Sequence, residues 1–392
     1  MSENSPETHY SHLFFNKNLQ VIYSVTLIAV MGVASITPAF PRIIGYFNIS
    51  SHQIGLLITV FTFPGIILAP VFGILADRLG RKKILIPSLF LFGISGFSCA
   101  FISDFNLLLL MRTIQGMGAA SLGALNVTLI GDLFTGKDRS AAMGYNASVL
   151  SIGTASYPAI GGALALFGWN YPFILPVLAI PVGLLVIFGL NNPEPKRSQS
   201  FNDYLSSILK SVRKKQVLIL FILSIITFIL IYGSYLTYYP LLISFKFKAS
   251  SLVIGIIMSV MSVSTALTSS QLGKLTKKYS EKHLIKVAFI LYTLALFSIP
   301  YLSNIYLLLI PTIIFGIAQG LNLPGIQTLL AGLAPIEHRA AFMSINGMVL
   351  RLGQTIGPLL IGVFFSIWGI DAAYFSGAGL AFITFILTIF LL

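Results

Sequence analysis

Charge is the scarcest thing in this chain. Only 9% of its 392 residues are Asp, Glu, Lys or Arg, where a soluble domain carries about 25%. There are 11 acidic residues, and none falls deep in an apolar run. There is one cysteine, Cys99, which excludes an internal disulfide and a cysteine-rich metal cluster. The five histidines, His9, His12, His52, His283 and His338, stand near or beyond the ends of apolar runs. No Ser–His–Asp set, paired carboxylates or His/Cys metal spacing occurs at depth. The sequence therefore gives no reason to expect an enzyme, a metal or a cofactor.

What the chain has instead is apolar length. Hydrophobic residues make up 56%, and the mean hydropathy is +0.92. Such a chain cannot cover a water-facing surface. With lipid as solvent, every backbone polar group must pair inside a helix or a closed barrel. The apolar runs reach about 20 residues or more, the length of a membrane-spanning helix; barrel strands need only about 10. The expectation is an all-α membrane protein with twelve transmembrane helices. They fall at roughly 19–41, 53–76, 84–102, 107–134, 141–167, 172–190, 216–243, 252–273, 283–302, 305–333, 341–367 and 370–392. The first run is too long for a signal-peptide core, so no cleavage is expected.

The chain repeats itself at a spacing of 200 residues. Arg139, Asn146, Gly153, Pro158 and Gly162 return as Arg339, Asn346, Gly353, Pro358 and Gly362. Ser51 and Gly55 return as Ser251 and Gly255, and Lys82 returns as Lys282. Leucine matches are cheap in so apolar a chain. Matched Gly, Pro, Asn and Arg are not, since each meets a specific backbone or charge requirement. Four parts follow: a tail (1–18), a six-helix bundle (19–190), a polar linker (191–215) and a second six-helix bundle (216–392). Residues Phe201 to Lys215 have an amphipathic pattern suited to a membrane surface. Two parallel halves are a transporter plan, with the solute site between them near mid-membrane.

The net charge of +13 does not point to nucleic acid. Under the twelve-helix reading, 19 of the 24 Lys and Arg fall on one side, in the N-terminal tail and the even-numbered loops. That is the positive-inside pattern, and it puts both termini in the cytoplasm.

Three motifs carry a resemblance. The loop after the second helix reads Gly73-Ile-Leu-Ala-Asp77-Arg78-Leu-Gly80-Arg81-Lys82-Lys83. This resembles the signature between the second and third helices of the major facilitator superfamily. Arg112-Thr-Ile-Gln115-Gly116-Met-Gly118-Ala-Ala resembles that superfamily's fourth-helix motif. Gly153, Pro158, Gly161 and Gly162 resemble the antiporter motif of twelve-helix drug:proton antiporters, with Tyr157 where that family has Gly. The resemblance covers nearly the whole chain. It implies a secondary transporter of the multidrug-efflux type, acting by alternating access in a bacterial or archaeal cell membrane. Its partners would be lipid, a small-molecule substrate and, as a candidate coupled ion, the proton. The chain is expected to be monomeric. The resemblance also implies that Gly73, Asp77, Arg81 and Asp132 form a gate that latches the bundles on the inner side.

The motif glycines, with Gly353 and Gly357, read as close-packing faces. Many relatives in that family carry a carboxylate in the first helix. This chain has Thr26, Ser35 and Thr37 there, which weakens the case for proton coupling through a buried acid. Two arginines lie at membrane depth, Arg112 and Arg351, and an ionisable residue there is a functional candidate. The repeat partner of Arg351 is Ser151, so the shared scaffold does not demand this charge. Helical phase turns Arg351 away from Gly353 and Gly357, into a polar stripe with Gln354 and Thr355. Its partner is then water, a carbonyl or an anionic part of the ligand. Arg112 is a candidate for the ligand or for a tie between the fourth and first helices. The superfamily's pathway helices add Asn126, Tyr232, Tyr235, Gln319 and Asn322 as substrate-binding candidates. Tyr232, Tyr235 and Tyr239 share one helical face, which suits either a pocket or an outer aromatic belt. Two alternatives remain to export of amphipathic solutes. One is an organic-anion carrier built on Arg351 and Arg112. The other is a membrane sensor that keeps the fold without turnover.

Overall fold

The computed structural model describes residues 13–191, 214–333 and 339–392. Among these stand twelve long helical segments and no strand. They are α1 (Lys17–Phe47), α2 (Gln53–Leu79), α3 (Arg81–Phe101), α4 (Phe105–Leu133), α5 (Gly136–Leu164) and α6 (Tyr171–Gly189). The second half follows as α7 (Lys215–Phe247), α8 (Ser251–Leu275), α9 (Glu281–Tyr301), α10 (Ile305–Leu333), α11 (Arg339–Trp368) and α12 (Ile370–Leu391). Eleven are long and apolar enough to cross a membrane. The twelfth, α5, falls short because small and polar residues interrupt it. Its 29 residues still give ample length.

The ends differ from expectation where local chemistry extends a helix. α1 runs on past residue 41 through a tight turn at Thr37–Ala39 and a last piece at Phe40–Phe47. Pro38 and Pro41 each sit in the first turn of a new piece, where a missing N–H costs nothing. α5 starts at Gly136, five residues early, with Asp138 facing the positive end of the helix. The expected linker and its amphipathic stretch fall almost wholly outside the described residues, and α7 begins at Lys215.

The two halves pack alike. In the first, α1 lies on α5, α2 on α4, and α3 on α4 and α6. In the second, α7 lies on α11, α8 on α10, and α9 on α10 and α12. The repeat also shows in the ends. Lys82 donates to the carbonyls of Ile187 and Leu190, closing the C-terminus of α6. Lys282 does the same for α12 through Leu392. A cation on the negative end of a helix is stabilising. The sequence showed these lysines only as topology charge. Outward faces carry large apolar side chains, among them Phe188, Phe382 and Phe390.

The halves meet along two seams, α2 on α11 and α5 on α8. Both run at the end opposite the termini through a Gly–Pro contact that obeys the repeat. A methyl group on Gly55 would stand 3.0 Å from Cβ of Pro358, and one on Gly255 would fall onto the Pro158 carbonyl. Overpacking of this kind costs about 1–3 kcal/mol. We therefore expect Gly255→Val to lower the melting temperature of the purified protein by several degrees. Gly123→Val, at a site with open space, should leave it unchanged. Equal melting curves for the two variants would contradict the seam contact.

Candidate functional site

The middle of the α2–α11 seam is polar. Thr59 Oγ1 donates to the Thr355 carbonyl at 3.1 Å, and the hydroxyls of Thr62 and Thr355 meet at 2.8 Å. One turn further along α11 stands Arg351. Its Nη2 crosses to the other bundle and donates to the carbonyls of Ala119 at 3.1 Å and Ala120 at 3.4 Å, both on α4. It passes over Gly65 of α2, where any larger residue would strike the guanidinium. Arg351 thus leaves the Gly353/Gly357 face, as helical phase requires. Of the three compensating groups expected, the structure supplies the carbonyl. The side chain is only partly buried and pins the two bundles together.

At the terminus-bearing end a charged cluster closes α2 onto α4. Arg81 Nε lies 3.1 Å from Asp132 Oδ2, and the same guanidinium pairs with Asp77. Arg81 itself is buried, while Asp77 and Asp132 keep access to solvent. Gly73 lies one turn before Asp77 on α2.

Two six-helix halves, a pinned seam and this acidic–basic cluster are a specific combination. The family profile of the Major Facilitator Superfamily matches residues 22–248 and 235–392. The chain belongs to the Major Facilitator Superfamily. It is 26% identical over 354 residues to multidrug resistance protein 2 of Bacillus subtilis (strain 168), covering 88% of each chain. It is 28% identical over 357 residues to the bacillibactin exporter of the same organism, covering 87% of this chain and 88% of that one. Among solved structures, the nucleoside transporter NupG superposes with a TM-score of 0.80 at 16% identity, covering 96% of this chain and 99% of that one. The chain is thus a multi-pass membrane protein of a superfamily whose members are generally carriers, and it is similar to proteins named for multidrug resistance.

The remaining candidates of this superfamily member divide sharply. Arg112 has no exposed surface. Its Nε donates to the Leu57 carbonyl of α2 at 3.3 Å, its Nη1 to Gln115 Oε1 at 2.6 Å, and its charge sits 4.2 Å above the Phe61 ring. It ties α4 to α2 rather than to α1, and its Nη2 is buried without a partner. Asn126 is also turned inward. Its Nδ2 donates to Thr26 Oγ1 at 2.9 Å, and Thr26 donates on to Asn146 Oδ1 at 2.6 Å. Asn322 repeats the first bond in the second half, with Nδ2 on Thr227 Oγ1 at 2.6 Å. Both asparagines join helices within a bundle.

The three tyrosines do not share a face. α7 contains a wide π-helical turn at Leu230–Thr237, sealed by a bond from Thr237 Oγ1 to the Tyr232 carbonyl at 2.6 Å. The wider turn breaks the phase on which the expectation rested. Tyr232 stays partly exposed and stacks on Phe228. Tyr235 and Tyr239 are fully buried, stacked on each other at 4.8 Å. Tyr235 is therefore no pathway residue here, and Tyr239 is no belt residue. Gln319 and Gln354 are partly buried, and the Gln319 carbonyl oxygen is buried without a partner. The packing glycines behave as expected. Gly153 and Gly161 abut α1, Gly162 abuts Ser251 of α8, and Gly353 and Gly357 abut α7.

Sequence reasoning missed Thr59, Thr62 and Gly65 on the seam. Helix 2 shows no charge there, and only the partner helix reveals what those residues touch. All six acids among the described residues lie in the first or last turn of a helix or cap one: Asp77, Asp104, Asp132, Asp138, Glu281 and Asp371. The cluster around Arg81 generates a direct test. Arg81→Ala leaves Asp77 and Asp132 side by side without their cation. We expect normal membrane insertion with transport slowed about tenfold, about 1.4 kcal/mol in the barrier. Arg81→Lys should recover only part, because lysine lacks the planar fork. Full transport by Arg81→Ala at normal expression would contradict the role.

Proposed function

We propose that this transporter exports small, partly apolar organic solutes by alternating access of its two bundles. The observation that carries the reading is the Arg351 pin. It is the charge that bridges the described part of the seam, and it rests on neutral carbonyls that a rocking bundle can exchange for water or solute. The duplicated Gly–Pro contacts support a seam that closes by shape alone at the end opposite the termini. The relatives named for multidrug resistance and bacillibactin export support the direction. The distribution of lysine and arginine supports cytoplasmic termini, and the complete pair of bundles supports a monomer. With the described acids confined to helix ends, any proton coupling is weak or runs through surface-proximal groups such as Asp132 or Asp104.

A second reading is favoured by one feature. The bonds of Arg351 go to carbonyls, with no carboxylate among them, so an anionic or electron-rich solute would find a ready partner. Both readings are checked on purified protein with competing fluorescent dyes. Export of neutral amphipaths predicts that Arg351→Ala changes dye affinities little while slowing efflux. The anion reading predicts at least a tenfold loss of affinity for an anionic dye, about 1.4 kcal/mol, with a cationic dye unaffected. A protein that binds no amphipathic dye and drives no efflux in vesicles would overturn both.

A further inference from the structure

The repeat breaks at the terminus-bearing end of the C-terminal bundle. A cavity of about 270 Å³ opens there among α7, α9, α10 and α12. Lys282, Gln216 and Thr328 give it a polar side, and Leu220, Leu329 and Leu391 give it an apolar one. At about 30 Å³ for each water of liquid, that is room for about nine waters, more than a bare ion needs. Lys282 donates one hydrogen to the Leu392 carbonyl at 2.9 Å. An ammonium carries three, so two remain for a ligand. Gly332 stands on the cavity wall, and a methyl group added there would meet nothing.

The N-terminal bundle closes the matching place with its own chain. Asp132 stands where the other half has Gly332, and it pairs with Arg81. Gln20, which matches Leu220, donates to the Phe14 carbonyl at 2.8 Å, and Asn18 Oδ1 accepts from the Asn191 N–H at 2.9 Å. Leu129 is fully buried there, whereas Leu329 is only partly so. Asn16, which matches Gln216, caps α1 by accepting from the Asn18 N–H at 3.0 Å. α7 has no side-chain cap, and the residue at its cap position is Lys214, a cation at the positive end of a helix. Lys214 and Lys215 open α7, and Lys282 and Lys286 lie one turn apart on α9. The single acid in the first turn of either helix is Glu281. Where the first half is closed and charge-paired, the second is open, lined with leucine and positively charged.

We propose that this cavity binds an anionic phospholipid of the adjoining leaflet. Its phosphate rests on Lys282 and Gln216, and its acyl chain lies along Leu220, Leu329 and Leu391. Charge decides the headgroup, because a basic pocket between helices at a membrane face suits an anionic lipid. The leucines decide between a lipid and a soluble anion, since a free phosphate gains nothing from an apolar wall. Leu391 is itself exposed on the outward face beside Phe390, so the cavity is continuous with the surface that lipid tails cover. The site lies within one bundle, apart from the Arg351 seam, and it needs no solute.

Native mass spectrometry of the intact purified protein, with phosphatidylglycerol or phosphatidylcholine added to the detergent, tests this directly. Lys282→Gln removes the charge, and Gly332→Phe fills the cavity from a position with open space. The proposal expects each variant to retain phosphatidylglycerol at least threefold more weakly than the unaltered protein, with retention of phosphatidylcholine unchanged. Lys82→Gln, the matching lysine at the closed end, is the control and should retain both lipids normally. Phosphatidylglycerol retained equally by Lys282→Gln, Gly332→Phe and the unaltered protein would overturn the proposal. So would an equal loss in Lys82→Gln, which would mean a general effect of surface charge. Displacement of the lipid by inorganic phosphate would overturn it in favour of a free anion. A crosslink from Gly332→Cys to residues 192–213 in lipid-free protein would overturn it in favour of the chain's own linker. If Lys282→Gln fails to fold, Gly332→Phe still decides.

Discussion

Lipid gives two helices no hydrophobic reason to prefer each other over the tails around them, so association rests on close packing and on hydrogen bonds. That constraint governs the contact between the halves of this protein. Gly55 meets Pro358 and Gly255 meets Pro158 because only backbone can approach so closely. Further along the α2–α11 seam, Thr59, Thr62 and Thr355 exchange hydrogen bonds, and Arg351 reaches the carbonyls of α4. A seam built this way is strong when the shapes fit and has little to hold it once they part. Closeness of backbone, rather than buried charge, makes a two-position machine plausible in this fold.

The repeat supplies the scaffold and then departs from itself where chemistry is needed. Pro158 and Pro358, and Lys82 and Lys282, hold the same positions in both halves. Arg112, which ties α4 to α2, and its partner Gln115 stand against Thr312 and Phe315, which meet the tyrosines of α7. Arg351 stands against Ser151, whose hydroxyl only bonds its own helix at Ala147. The acid of the Asp77–Arg81–Asp132 cluster has no counterpart at Lys277, the matching position. One half therefore carries the ion cluster and the buried arginine, and the other carries the bridging arginine and the polar, uncharged core.

Much of this was legible before any coordinates. Scarce charge and long apolar runs required membrane helices, and the 200-residue echo is matched by the parallel packing of the two sets of helices, while the expected boundary falls on residues outside those described. The Asp77–Arg81–Asp132 cluster was readable because charged residues stand out in such a chain, and Arg81 does meet Asp132. The direction of Arg351 was readable from helical phase, but its partners were not. A carbonyl acceptor leaves no trace in sequence, and Gly65 and the seam threonines look like ordinary helix residues. Phase reasoning failed for Tyr235 because it assumes 3.6 residues per turn, and α7 inserts a wider turn between Tyr232 and Tyr235. Arg112 was marked as an ionisable residue at depth, and Asn126 as an uncharged pathway candidate. Their compensation lies within a bundle, which composition alone does not separate from compensation by a ligand.

The account rests on the claim that the α2–α11 seam must open for a solute to cross. The hydroxyls of Thr62 and Thr355 touch across it, so cysteines at both positions can be joined. With Cys99 replaced by serine, the pair Thr62→Cys and Thr355→Cys leaves no other thiol in the chain. Transport in vesicles, measured before oxidation, after oxidation and after reduction, reads the claim directly. The account predicts transport lost when the disulfide forms and restored when it is reduced. Undiminished transport with the disulfide fully formed would contradict it.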